Sequence, residues 1–343
     1  MSEAKIPARL KVIMARSAPY AVIFRRGPSN CVCTIGWDLS SDTFTLGQWL
    51  RGHIYPYRAD LSPDGKHMIY FATDFRRSDK LYEFREQLRL KEFGADPEPD
   101  YAAIMKSITS ATSVSSFIET LMADGAYDFE RKMEQRTLVK EKYAEEIAAF
   151  SGSPDDGSCS WTAISRAPYL KALDLWFNGS AWNGGGLFMD QNSVWLNSSY
   201  VHRHRLAKRG SEFNVSEDFP FEEHHGGEDA GVYFPRLQRD GWVLTDDGAY
   251  TATFVKELDN GWTLRKYFSF GLRSGYYETH ALSHADGDSV PGAEWCWADY
   301  DRPRKRVLFA QAGKIFALKL GNDSPKLLYD ATPLEFTPLP APY

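Results

Sequence analysis

Ala59-Asp60-Leu61-Ser62-Pro63-Asp64-Gly65-Lys66-His67-Met68-Ile69-Tyr70-Phe71-Ala72 decides the fold class. Pro63 presets φ for a turn, Asp64 can bond the backbone two residues on, and Gly65 takes a positive φ. Apolar runs on both sides of Ser62-Pro63-Asp64-Gly65 make the segment a hairpin between two strands. The same pattern of short apolar runs and turn residues extends in both directions. Residues 12–14, 21–24 and 31–37 read as strands, with a turn at 25–30. Residues 160–165, 170–177 and 187–196 read as strands joined through Gly184-Gly185-Gly186. That glycine run has neither phosphate-loop nor dinucleotide-binding spacing, and a tight connection between strands accounts for it. Residues 233–237, 240–244, 250–257 and 262–268 form a further set, with Asp259-Asn260-Gly261 as a hairpin turn. Residues 295–300, 306–310 and 315–320 complete the series, with a turn at 311–314.

Residues 60–72 resemble the hairpin of β-propeller blades of the WD40-like and TolB-like kind, and residues 295–320 have a similar strand–turn–strand cadence. The resemblance implies an all-β, irregular or degenerate β-propeller-like fold. No exact period ties the units together, and a two-sheet sandwich is the alternative. Aromatic content supports strands in either case. The chain has 10 Trp, 18 Tyr and 21 Phe, large side chains that suit half-buried pleated surfaces.

Residues 78–157 break the β pattern and predict an inserted α-helical segment with a return linker. The β domain is then formed by residues 1–77 and 158–343. Within the insertion, Ser116-Phe117-Ile118-Glu119 fits a capping box. Phe129, Met133, Tyr143 and Ile147 mark one apolar face of its last helix. Such a face suits a protein partner. Trp182, in a Gly/Asn/Ser loop, is a candidate exposed aromatic anchor for the same purpose.

Among 343 residues the net charge is −6, which argues against broad attraction to nucleic acid or an anionic membrane. The N-terminus has no continuous apolar core, so no signal peptide is expected, and no run approaches a membrane span. The expected location is cytoplasmic. Four cysteines are too few for a disulfide framework; Cys31 and Cys33 share one face of a strand, and their expected role is as small buried hydrophobes.

The densest polar cluster spans 202–229. His202 and His204 stand two apart, so on a strand they share a face, and Glu222, His224 and His225 could complete a divalent-metal site. Metal-activated water would then make the chain a metal-dependent hydrolase. No H-E-x-x-H spacing is present, and a solvated loop explains the same composition. Arg203, Arg205 and Arg209 form a local anion-binding candidate that suits a nucleic-acid or nucleotide sensor. No G-x-S-x-G elbow is found. The expectation is a non-enzymatic protein-interaction or scaffold module, with no cofactor unless the 202–229 cluster binds metal.

Overall fold

In the computed structural model the Gly65 N–H donates to the Ser62 carbonyl at 2.8 Å, which closes the expected turn, and Gly65 has a φ of +72°. Asp64 accepts the Lys66 N–H at 3.1 Å and the Ser62 hydroxyl at 2.7 Å. The structure describes residues 8–27, 31–73, 138, 141–142, 160–178, 184–197, 205–207, 210, 212–216, 229–248, 250–271, 275–322 and 324–343. The chain divides into two compact units, Met1–Asp74 with Cys159–Tyr343, and Phe75–Ser158. Of the second unit only Leu138, Glu141 and Lys142 are described, and all three are helical. Phe129, Met133, Tyr143 and Ile147 lie outside the described residues.

The first unit is mostly β, in five sheets. Sheet 1 is a meander of β1 (Arg9–Met14), β2 (Tyr20–Arg26), β3 (Cys31–Asp38) and β4 (Thr43–Arg51). Sheet 2 holds β5 (His53–Leu61), β6 (His67–Thr73), β7 (Ser160–Arg166), β8 (Ala172–Asn178) and β11 (Arg205–Ala207). Sheet 3 is short, with β9 (Gly186–Phe188), β10 (Ser193–Leu196) and β12 (Asn214–Ser216). Sheet 4 is a meander of β13 (Val243–Gly248), β14 (Thr251–Glu257), β15 (Trp262–Gly271), β16 (Gly275–His284) and β17 (Ser289–Gly292). Sheet 5 is β18 (Trp297–Asp301), β19 (Arg306–Gln311), β20 (Lys314–Lys319) and β21 (Lys326–Asp330). Pairings are antiparallel apart from β10 with β12.

Strand alternation sends side chains to both faces of these sheets, and both faces of sheet 1 are buried. Leu10, Val12, Ile23, Ile35 and Trp37 pack on Trp297, Leu308 and Ile315 of sheet 5. From the opposite face, Ile13, Val22, Phe24 and Val32 pack on Ile54, Leu61 and Met68 of sheet 2. Ile69, Ile164 and Trp176 of sheet 2 meet Phe188 and Val194 of sheet 3. Sheets 4 and 5 share a core that includes Phe254, Phe268, Leu282, Ala298, Val307 and Phe309.

One correction concerns residues 233–237, expected as a strand. They belong to the helix α1 (Asp229–Arg239). Ala230, Tyr233, Phe234 and Leu237 face the sheet 4–sheet 5 core, while Val232 on another side packs with Leu187 and Trp195 of sheet 3. A helix buried on two sides carries apolar residues almost all round, which over five residues is indistinguishable from a buried strand. The stop signal is Gly241, at φ +87°. Its N–H donates to the Gln238 carbonyl at 3.1 Å and the Trp242 N–H to the Leu237 carbonyl at 2.9 Å, the paired bonds of a Schellman motif. A second difference is smaller: Arg25 and Arg26, expected in a turn, end β2.

Register irregularity in sheet 2 seats α1. Tyr55 pairs with Phe71 and Asp60 with Ile69, so residues 56–59 bulge out of the ladder. The freed Pro56 and Ala59 carbonyls accept from the buried Arg236 guanidinium. Arg58 meets Asp229 at 2.5 Å in the first turn of α1.

Beyond β21 the chain crosses three sheets as a strap. Arg25 Nε donates to the Ala331 carbonyl at 2.9 Å, and Phe336 packs against Trp49 with ring centroids 5.8 Å apart. Gln48 Nε2 donates to the Leu339 carbonyl at 2.8 Å, while its Oε1 accepts the Leu170 and Lys171 N–H groups. The Tyr343 hydroxyl accepts the Arg166 N–H at 3.1 Å.

Candidate functional site

A cavity of about 1010 Å³ opens within the first unit. Its walls come from the end of β1 and the following loop, α1, Lys256 of β14, Lys266 of β15, and β18 with its turn. The chemistry of the wall is set by ion pairs, arranged in three groups.

The first group surrounds Arg239. Its guanidinium grips Asp60 with two bonds of 2.6 and 2.9 Å and donates through Nε to Asp240 at 2.8 Å. Burial raises the Asp240 carboxyl above the ordinary range against the pull of Arg239. Arg16 Nη2 and Arg239 Nη1 both donate to the Phe188 carbonyl, at 3.0 and 3.3 Å.

The second group is centred on Lys266 of the wall and is buried apart from Lys11, which is part-buried. Lys266 on β15 and Glu278 and His280 on β16 occupy core-facing positions between Leu264, Phe268 and Leu282. Lys266 Nζ meets Glu278 Oε1 at 2.8 Å. Glu278 Oε2 accepts from Tyr233 at 2.8 Å and from Lys11 of β1 at 3.1 Å. Burial alone would raise the Glu278 carboxyl, but Lys11, Lys266 and His280 outweigh it and hold the group well below its usual range. Burial, followed by Lys266, lowers the His280 imidazole to about 4. His280 Nδ1 lies 3.0 Å from the Trp295 carbonyl, and Nε2 lies 3.0 Å from Glu278 Oε1 and 3.2 Å from Lys266 Nζ. Burial likewise lowers the Lys266 amine.

The third group lies around β18. Lys256 Nζ meets Asp299 at 2.6 Å over the Trp242 ring. Arg304 and Arg306 share Asp42, Arg306 also holds Asp301, and Arg302 reaches Asp259 only at 3.5 Å.

Most residues singled out from the sequence lie outside the described residues: His202, His204, Glu222, His224, His225, Arg203, Arg209 and Trp182. Arg205 is described. It forms a bidentate pair with Asp174 at 2.9 and 2.5 Å and lies over the Trp176 ring. Among the described residues no three of His, Cys, Asp and Glu converge as metal ligands. Cys33 is buried, and burial, only partly offset by Arg25, pushes its thiol up to about 12. No described helix is long and apolar enough to cross a membrane.

The wall residues escaped the sequence reading because they are scattered over the chain. One signal was present: Lys266, Glu278 and His280 are polar residues at inward positions of alternating strands. Such positions are costly for charge unless partners are supplied.

No family model matches the chain, and no curated protein matches it. Two solved chains match. One is the crystal structure of the tricorn protease, at 11% identity and a TM-score of 0.20. The alignment covers 94% of this chain and only 22% of that one, so this chain spans less than a quarter of its length. At that score the likeness carries no argument for fold or activity.

Proposed function

We propose that the chain is a non-enzymatic protein-interaction scaffold, a β-propeller-like unit whose cavity takes a segment of a partner. The cavity, walled by six separate parts of the chain, is the observation that carries this reading. Support for the propeller-like arrangement comes from the order of core contacts. Sheet 5 packs on sheet 1, sheet 1 on sheet 2, sheet 2 on sheet 3, sheet 3 on α1, and α1 on sheets 4 and 5. That order is cyclic, with α1 filling the position between sheets 3 and 4. Rigid rings of this kind present loops around a central opening, and ligands fit there without rearrangement of the frame. The wall itself favours recognition over proton transfer: Asp240, Asp299 and Asp301 are each clamped by an arginine or lysine.

Calorimetric titration with short peptides of neutral, basic and acidic composition tests the proposal, with each mixture checked for reaction products by mass spectrometry. Saturable binding of one class without chemical change is expected. Conversion of a bound peptide to products, or no binding by any class, would sink it.

A further inference from the structure

We infer that the segment taken by this cavity is acidic, held by its aspartate and glutamate carboxylates. The inference rests on the scaffold reading and adds the chemistry of the partner. Seven cationic side chains line the cavity against three carboxylates, in a chain whose overall charge is −6. Four further carboxylates approach the lining cations from behind: Asp60, Glu278, Asp259 and Asp42. They do not cancel the surplus. Glu278 is shared with Lys11 and Asp42 with Arg306, so each of these carboxylates serves two cations. Arg306 also holds Asp301, so with Lys11 and Arg306 counted once each, nine cations face these seven carboxylates.

Two lining cations have no carboxylate within ion-pair distance among the described residues. Arg236 spends its guanidinium on the Pro56 and Ala59 carbonyls, and its side chain is buried. Among the described residues Arg16 donates only to the Phe188 carbonyl, and the residue is exposed. Asp60, Asp240 and Asp190 lie near enough to act on Arg16; Arg239 already holds the first two, and Asp190 is engaged by the Asn192 and Ser193 N–H groups. Arg302 is the second accessible guanidinium: its side chain is 66% exposed and its contact to Asp259 is 3.5 Å long. Both keep donors for a ligand, and the planar guanidinium fork matches a carboxylate bidentately. A low-dielectric wall behind them strengthens that attraction relative to open surface.

The test uses the full chain and three probes at low and raised salt. They are a peptide of alternating Asp and Glu, the same peptide with Asn and Gln, and citrate as a free carboxylate. Binding of the acidic peptide, weakened by salt and not matched by the amide peptide, is expected. Arg16→Gln should weaken it roughly tenfold while leaving the melting temperature unchanged, because one backbone carbonyl is all that Arg16 holds among the described residues. Arg302→Gln gives a second reading should Arg16→Gln fold poorly. Equal binding of the amide peptide overturns the acidic inference and leaves the scaffold reading standing. Tighter binding of citrate than of the peptide overturns the peptide source in favour of a small polycarboxylate. Failure of all three probes, together with failure of the basic and neutral peptides above, overturns the scaffold reading itself.

Discussion

His280 couples the buried charges to pH. The folded imidazole takes a proton only near 4, lowered first by burial and then by Lys266, whereas the unfolded chain takes one near 6.5. Between those values the unfolded state binds more protons, so stability falls as pH falls, by roughly 3 kcal/mol from this group. Above about pH 6.5 the contribution is complete. Urea unfolding at several pH values across this window should trace the decline, and His280→Gln should flatten it. A slope that survives the substitution would place the acid sensitivity elsewhere. Glu278 lies at the centre of the same group, between Lys11, Lys266 and Tyr233. Glu278→Gln leaves the buried Lys266 ammonium and the part-buried Lys11 ammonium short of their carboxylate and should cost about 3–5 kcal/mol, read as a lowered denaturant midpoint.

Helix α1 ends where Gly241 adopts a conformation that a side chain resists, although open space surrounds the position. Gly241→Ala should therefore cost about 1 kcal/mol through backbone strain alone, without steric clash. A thermal melt would detect it, and a neutral result would mean that the helix can end another way. The element also shows what was readable beforehand. The Ser62-Pro63-Asp64-Gly65 hairpin and the Asp259-Asn260-Gly261 turn were legible because turn geometry is a local property, written in adjacent residues. α1 was not, because its apolar residues answer to two neighbours far away in sequence. Lys266, Glu278 and Lys11 were illegible as a group for a similar reason: Lys266 and Glu278 stand 12 positions apart on paired strands, but packing brings in Lys11 from 267 positions away.

At the scale of the molecule, the strap after β21 joins sheets 5, 1 and 2 through Gln48, whose amide serves the strap on one side and the 170–171 backbone on the other. Gln48→Ala should speed amide exchange in β4 and at residues 170–171 while leaving sheet 4 protected, as measured by hydrogen–deuterium exchange. Uniform protection in the variant would show that the strap fastens nothing. The packing of sheet 1 on sheet 5 carries a further consequence, for birth rather than function. Trp37 and Ile35 are covered by Trp297 and Leu308, made about 260 residues later, an interval on the order of tens of seconds on a ribosome. Through that interval one greasy side of the earliest strands stays bare. A bare apolar side of that kind is what holding chaperones shield on a newborn chain, and here it stays bare until the last sheet emerges.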